Sequence, residues 1–159
     1  MIRKILVPVD GSESSQRAIV FASEIAAKFG ASVTFVHILQ SLLPRKQLKE
    51  YLSTLEAAKN PDRAEIESIR NTLAKSGEKH GIQLLENAEI LAKGKNVEQV
   101  DTVLRDGDPA EEILHMAESG GHDIIIMGRR GHGPIRSLLV GSVSNKVAGL
   151  APCTVVTVR

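Results

Sequence analysis

The chain has one cysteine, one tyrosine, three phenylalanines and no tryptophan in 159 residues. A lone Cys153 excludes a disulfide framework within the chain, and it reads as a small buried hydrophobe. The scarcity of aromatics excludes stacking platforms for single-stranded nucleic acid. It also leaves the core to Ile, Leu, Val and Ala, which suits helices packed on a parallel sheet. No charge sign dominates: 20 Lys and Arg stand against 19 Asp and Glu, mixed along the chain, for a net charge of +1. There is no bulk field for nucleic acid or anionic lipid, so any anion site must be local. No apolar run approaches a membrane span. The opening "MIRKILVPVD" runs into Pro8 and Asp10 without a signal-peptide core. These absences predict a soluble cytoplasmic protein with neither nucleic acid nor membrane as partner. His37, His80, His115, His122 and His132 show no ligand spacing, so no metal set is predicted. His37 and His122 read as packing or capping residues.

What is present is an alternation of strands and helices. "KILVPVD" reads as a buried strand ending near Pro8. In the segment that follows, Ala18, Phe21, Ala22, Ile25, Ala26 and Phe29 recur at three and four, predicting an apolar helical face. Ser12 or Ser14 can cap this helix, and Gly30 stops it. "ASVTFVHIL" is a second strand, which completes a βαβ unit of right-handed crossover. Residues 40–96 are polar, with Pro44 and Pro61 as breaks. Two amphipathic helices are predicted there, one carrying Ile66, Ile69 and Leu73, the other Leu84, Leu85, Ala88 and Leu91. Residues 41–80 are read as a helical excursion whose charges form a solvated face. "VDTVLRDG" is a strand. The next helix has Asp108 as cap, Pro109 in its first turn, Glu111 in the capping-box position and Gly120 after its end. "HDIIIMG" reads as a strand buried on both faces, "SVSNKVAGL" as a short helix, and "CTVVTVR" as the last strand. The fold class is α/β: an open five-stranded parallel sheet with helices on both faces and one domain over residues 1–159, with the strand order 3-2-1-4-5 taken as a premise.

In such a sheet, ligands bind beyond the carboxyl ends of the strands where strand order reverses. That crevice lies between the first and fourth strands, so the segments to inspect begin at Asp10 and at Met127. The second is "MGRRGHGPIRSLLVGS". Gly128, Gly131 and Gly133 permit left-handed backbone and remove side chains, so successive N–H groups can form an anion nest. Gly141-Ser142 opens a helix whose first N–H groups are unpaired and carry the positive end of the dipole. A Ser142 or Ser144 hydroxyl can add a hydrogen bond. Two cradles of this kind suit a polyphosphate. Asp10 opposite them suits ribose hydroxyls or, with phosphate oxygens, a divalent cation. Val36 to Ile38 are placed to form an apolar slot for adenine. An isolated loop of this composition would read as turns and a plain N-cap; its position at the switch point favours a ligand.

Gly128-x2-Gly131-x9-Gly141-Ser142 resembles the G-x2-G-x9-G-[ST] signature of the ATP-binding branch of the universal stress protein family. "KILVPVDGSESSQRAI", "GDPAEEIL" and "APCTVVTVR" resemble other landmarks of that family in the same order, covering the chain except roughly residues 40–95. The resemblance implies a Rossmann-like fold of the adenine nucleotide alpha hydrolase type, with ATP in the crevice and Mg2+ or Mn2+ accompanying it. It implies that Pro8, Val9 and Asp10 stand near the nucleoside, Ile38 on the adenine side and Gly107 near the sugar. Met127 and Gly128 would border the nucleoside. Gly131, His132, Gly133 and Pro134, then Gly141, Ser142, Val143 and Ser144, would hold phosphates. Arg129 and Arg130, like His132, fill variable positions of the motif and can face either phosphate or solvent. The family also pairs final strands across a two-fold axis, which implies a homodimer through Cys153–Arg159. An apolar strand at a sheet edge needs covering in any case.

Neither a GxxxxGK[ST] loop nor the kinase motifs are present, and nothing visible positions a water for hydrolysis. The sequence therefore predicts an ATP-binding protein without efficient turnover. It would act as a nucleotide-dependent switch in stress response, with binding ordering the loop from Gly128 to Val140 and altering the surface offered to a protein partner. Two alternatives stand beside it: a slow ATPase, and an interaction module that makes no physiological use of nucleotide. The intact glycine signature disfavours the latter. A phospho-receiver domain of similar topology would need a lysine after the fifth strand, and Asp106 alone does not supply that site.

Overall fold

The computed structural model describes residues 1–39, 63–129 and 141–159, with backbone alone at 63–70 and 73. In chain order the elements are β1 (Lys4–Pro8), α1 (Glu13–Phe29), β2 (Ser32–Leu39), α2 (Arg63–Gly94), β3 (Val100–Asp106), α3 (Pro109–Ser119), β4 (Ile124–Gly128), α4 (Ser142–Leu150) and β5 (Thr154–Val158). All strands are parallel, in the order β3-β2-β1-β4-β5. This is the order taken as a premise in reading the sequence.

The topology sets which face each helix covers. Right-handed crossovers stepping from β1 outward to β3 put α1 and α2 on one face. The return past β1 to β4 and β5 reverses direction and puts α3 and α4 on the other. Two cores result. Ile5, Val7, Val33 and Phe35 pack against Ala18, Ala22 and Ala26 of α1 and Leu85, Ala88 and Ala92 of α2. Leu6, Val36, Ile125 and Met127 pack against Ala110, Ile113, Met116 and Ala117 of α3 and Val147 of α4. Neighbouring strand residues alternate between the two, as a two-residue period requires. The inner strands are thus covered on both sides, which is why "ILV" and "III" run without polar interruption. Each such side chain contributes about 1.5–3 kcal/mol of burial.

Two helix predictions need correction. Residues 63–94 form one helix, not two. Gly81, in its middle, serves close packing and not termination: a Cβ there would lie 2.6 Å from His37 Cδ2 and 2.9 Å from Leu104 Cδ1. On α1 the buried face consists of Ser15, Ala18, Ile19, Ala22, Ser23 and Ala26. Phe21 and Phe29 are exposed, because the small residues beside them let α1 lie closer to the sheet than a phenylalanine face would allow. Buried Ser23 is satisfied within the helix by donating to the Ile19 carbonyl at 2.7 Å.

The helix ends follow the sequence signals. Ser12 caps α1 by accepting from the Ser15 N–H, and Gly30 closes it in the left-handed region (φ 65°). Asp108 caps α3 by accepting from the Glu111 N–H at 3.0 Å, with Pro109 in the first turn. Only that half of the capping box is observed. The Glu111 carboxylate turns instead to Lys146 of α4, at 3.2 Å.

Beyond α3 the chain folds back through Gly121 (φ 59°), and His122 is wedged against the helix it has left. Its Nδ1 donates to the Met116 carbonyl at 3.0 Å, and its Nε2 meets the Thr34 hydroxyl at 3.3 Å. Burial pushes its pKa below the ordinary value of 6.5, and the bond to Met116 only partly opposes this. The folded state therefore keeps His122 neutral to lower pH than the unfolded chain does. Its contribution to stability is whole above about pH 6.5 and is lost as pH falls below that value. Thermal melts between about pH 8 and 5 should show a declining midpoint that His122→Gln flattens. An unchanged slope in the variant would assign the acid sensitivity to other groups.

Candidate functional site

The inner pair β1 and β4 is joined over two residue positions, Ile5 with Ile124 and Leu6 with Ile125. On the outer sides pairing continues further, to Pro8 with Val36 and to Gly128 with Val158. The two strands therefore part beyond Leu6 and Ile125, and a gap opens at the carboxyl end of the sheet. Pro8 fits this position, since it has no N–H to offer across the gap.

On the β1 side, the Val9 N–H donates to the Val36 carbonyl at 2.8 Å, and the Val9 carbonyl accepts from His37 Nδ1 at 2.7 Å. The Asp10 N–H donates to Ser15 Oγ at 3.2 Å. One carboxylate oxygen of Asp10 accepts from both the Ser12 N–H (2.9 Å) and the Ser12 hydroxyl (2.6 Å). Gly11 makes the intervening turn at φ 82°, a conformation that favours glycine. Asp10 is thereby fixed by its backbone and by one oxygen, while its side chain stays exposed to the gap end of the sheet.

On the β4 side, Met127 is buried in the second core. Gly128 is glycine because α1 begins against it. A Cβ at that position would stand 2.6 Å from Ser14 Oγ, 2.7 Å from the Ser15 nitrogen and 2.8 Å from the Ser14 carbonyl carbon. Gly128 is not among the residues of positive φ, so its role here is close approach and not a left-handed nest. The Arg129 N–H donates to the Val158 carbonyl at 2.7 Å. The Arg129 carbonyl accepts from the Gly141 N–H at 3.0 Å and from Ser144 Oγ at 2.9 Å. These bonds tie the two ends of the 130–140 segment together. Ser144 is buried and its hydroxyl is engaged by the Arg129 and Gly141 carbonyls, so it braces the start of α4.

Gly141 is the N-cap of α4, in extended backbone (φ −69°), with no side-chain cap and no acidic residue in the first turn. The contrast with its neighbours is informative. α1 starts with the Ser12 cap and Glu13, and α3 with the Asp108 cap, Glu111 and Glu112. Those two helices meet their own N-terminal dipole with their own side chains; α4 leaves its first N–H groups without such partners. Ser142 is exposed and Val143 half-buried at this end.

Pro8, Val9, Asp10, Met127, Gly128, Arg129, Gly141, Ser142, Val143 and Ser144 thus gather where β1 and β4 part. Ile38 lies at the same end of the sheet on β2, in the second core beside α3. Gly107 follows β3, with φ 149° and its N–H directed to the Leu39 carbonyl at 3.4 Å. Two strand spacings separate β3 from β1, about 10 Å, the reach of a nucleoside. Arg130, Gly131, His132, Gly133 and Pro134 lie outside the described residues. Asp108, next to Gly107, is held below the usual carboxylate range by the Glu111 N–H and, less strongly, by Lys146. Lys146 bridges from α4 to Glu111 and Asp108 and is pushed up in turn, chiefly by its bond to Glu111. Among the described residues no three His, Cys, Asp or Glu side chains form a metal site. A divalent cation at Asp10 would need phosphate oxygens and water to complete its shell.

Sequence reasoning names Ser12 only as a helix cap and does not single out Ser15 or His37 as residues that position this site. For Ser12 the signal lies in "DGSESS", where Asp followed by Ser two residues on is a turn signal. His37 carries no such signal, because its partner is the backbone carbonyl of Val9, just beyond β1.

The family model described as "Universal stress protein family" matches residues 1–159. The chain is 33% identical over 159 residues to "Universal stress protein YxiE" of Bacillus subtilis, covering 100% of both. Among solved structures it is similar to the universal stress protein UspA from Lactobacillus plantarum, with TM-score 0.80 at 22% identity, covering 99% of this chain and 97% of that one. A universal stress protein solved in complex with cAMP superposes with TM-score 0.68 at 23% identity, covering 99% and 97%.

The packing around Gly128 gives a test of its role. Gly128→Ala forces the first turn of α1 away from β4 and should cost about 1–3 kcal/mol in urea unfolding. A variant of unchanged stability would mean that α1 does not seat against this glycine.

Proposed function

Because the chain belongs to the universal stress protein family, we propose that it binds ATP where β1 and β4 part and uses the bound nucleotide as a regulatory signal in stress response. The observation that carries the reading is the bare N-terminus of α4, uncapped and free of acid, at the same strand gap as a fixed Asp10. Anions favour the first, while ribose hydroxyls or a phosphate-bound cation favour the second. The cAMP complex of a protein with the same fold supports an adenine nucleotide as the ligand class.

In this reading the phosphates lie along the N–H groups at Ser142 and Val143 and along the glycine-bearing segment that includes Gly131 and Gly133. Arg130, His132 and Pro134 belong to the same stretch. The ribose lies between Asp10 and Gly107, and the base between Ile38 and Met127. Mg2+ or Mn2+ enters with the triphosphate, with Asp10 as the protein's contribution to its shell. Ser144 acts one step back, holding Gly141 and Arg129 in place. Because the sequence carries neither a GxxxxGK[ST] loop nor the kinase motifs, binding without fast hydrolysis is the proposed activity.

A ligand that touches both the β1–α1 turn and the start of α4 couples two segments that no strand pairing joins at this end. That coupling is the proposed switch, read by a protein partner in the cytoplasm. A second copy of the chain is proposed to pair along β5, whose Val155, Val156 and Val158 are half-buried at the sheet edge.

Titration calorimetry with ATP and Mg2+ tests the reading directly. The double variant Gly131→Val, Gly141→Val should lose affinity by at least about tenfold while keeping its fold. Retained affinity would assign the nucleotide to another part of the molecule. Single-turnover measurement with radiolabelled ATP should give no product within minutes; product on that timescale would establish a hydrolase. Hydrogen exchange at residues 10–15 and 141–144 should slow together on ATP addition, and independence of the two segments would remove the switch.

A further inference from the structure

We infer that His37 is a positioning residue for the nucleotide site, acting through the Val9 carbonyl on Asp10. The inference rests on the proposed nucleotide reading and adds to it a residue that touches no ligand. Its Nδ1 lies 2.7 Å from the Val9 oxygen, and a carbonyl can only accept, so the ring nitrogen on that side carries the proton. Val9 lies one residue beyond the end of β1, where pairing with β4 has already ceased. Its N–H is held by Val36. Without His37 its carbonyl would have no partner among the described residues. Asp10 follows directly, and its remaining restraints all come from the start of α1: Ser15 on its N–H and Ser12 on its carboxylate. His37 therefore joins Val36 in holding the residue before Asp10 from the sheet side, and it alone does so through the Val9 carbonyl among the described residues.

The imidazole is itself held. Gly81 of α2 stands so close that a Cβ there would come within 2.6 Å of His37 Cδ2 and 3.2 Å of its Nε2. A glycine in the middle of a helix costs about 0.5–1 kcal/mol relative to alanine. Here it lets α2 press the ring against β1. The chain of contact runs from Gly81 through His37 and Val9 to Asp10, so the seat of α2 on the sheet sets the position of a carboxylate at the crevice.

The test is ATP affinity by calorimetry, with thermal unfolding as a control on folding. His37→Leu keeps bulk and removes the donor; about fivefold weaker binding is expected for one lost hydrogen bond. His37→Asn places its amide nitrogen where Nδ1 stood and should restore most of that affinity, whereas His37→Gln, whose amide matches Nε2, should not. If His37→Leu fails to fold, the Asn and Gln pair still separates a donor from a filler. The effect of His37→Leu should also vanish in an Asp10→Ala background, since the two act in series. Equal affinity in the Leu and wild-type proteins, equal loss in the Asn and Gln variants, or fully additive losses with Asp10→Ala would each overturn the proposal. If the wild type itself shows no affinity for ATP, the nucleotide reading fails. Amide exchange of Asp10 and Gly11 in the ligand-free His37→Leu protein then decides whether His37 holds the turn, with unchanged exchange counting against it.

Discussion

The arrangement depends on two strands at the centre of the sheet that pair over only two residue positions before they diverge. Divergence frees backbone groups in a molecule where buried N–H and C=O groups must find partners. Each strand solves this by turning outward. On the β1 side, Pro8 has no N–H, the Val9 N–H goes to Val36, the Val9 carbonyl to His37, and the Asp10 N–H to Ser15. On the β4 side, the Arg129 N–H goes to Val158, and its carbonyl to Gly141 and Ser144. Each of these backbone groups finds its partner on its own side of the gap. These groups are therefore satisfied without closing the space between the two strands.

The same end of the sheet receives the N-termini of α1, α3 and α4, and their different chemistry concentrates anion preference at one of them. α1 and α3 neutralise their dipoles with a serine or aspartate cap and with glutamates in the first turn. A glycine N-cap costs a helix only a few tenths of a kcal/mol relative to those residues, so α4 forgoes a side-chain cap at little expense. Lys146 contributes from the side. By pairing with Glu111 and Asp108 it offsets negative charge close to the helix that would otherwise be least hospitable to phosphate. These pairs are exposed, and their value lies in local field more than in stability.

The parallel strands, the caps at Ser12 and Asp108 and the stop at Gly30 are readable because they rest on local signals, whereas the strand order enters as a premise that the sheet bears out. An uninterrupted "DIIIM" demands cover on both faces, and a strand–helix alternation fixes handedness. The misreadings share a cause, which is packing between distant segments. Gly81 looks like a helix stop in "EKHGIQ", yet His37 and Leu104 on two different strands explain it. Phe21 and Phe29 fit a helical apolar stripe, yet α1 seats on alanines and serines, and no periodicity count shows how close a helix will approach a sheet. Ser144 read as a free hydroxyl at a helix start because the Arg129 carbonyl that occupies it is fifteen residues away. For His37 the reading as a packing or capping residue stands, but nothing in "FVHIL" points to the Val9 carbonyl as the group it caps.

A glycine motif therefore mixes requirements that spacing alone cannot separate. Gly11 is demanded by its backbone, since φ 82° favours glycine. Gly128 is demanded by its neighbours, since the first turn of α1 fills the place of a Cβ. Gly141 has φ −69°, a conformation open to any residue. Neither of its neighbours' reasons extends to it through the backbone angle. What distinguishes Gly141 from the caps of α1 and α3 is that its helix answers the dipole with neither a side-chain oxygen nor an acid in the first turn. A serine or aspartate there would cap α4 in the manner of Ser12 and Asp108, a role that no side chain fills at Gly141. Within the G-x2-G-x9-G-[ST] pattern, the first glycine thus shapes the wall, and the last begins its helix without a side-chain cap.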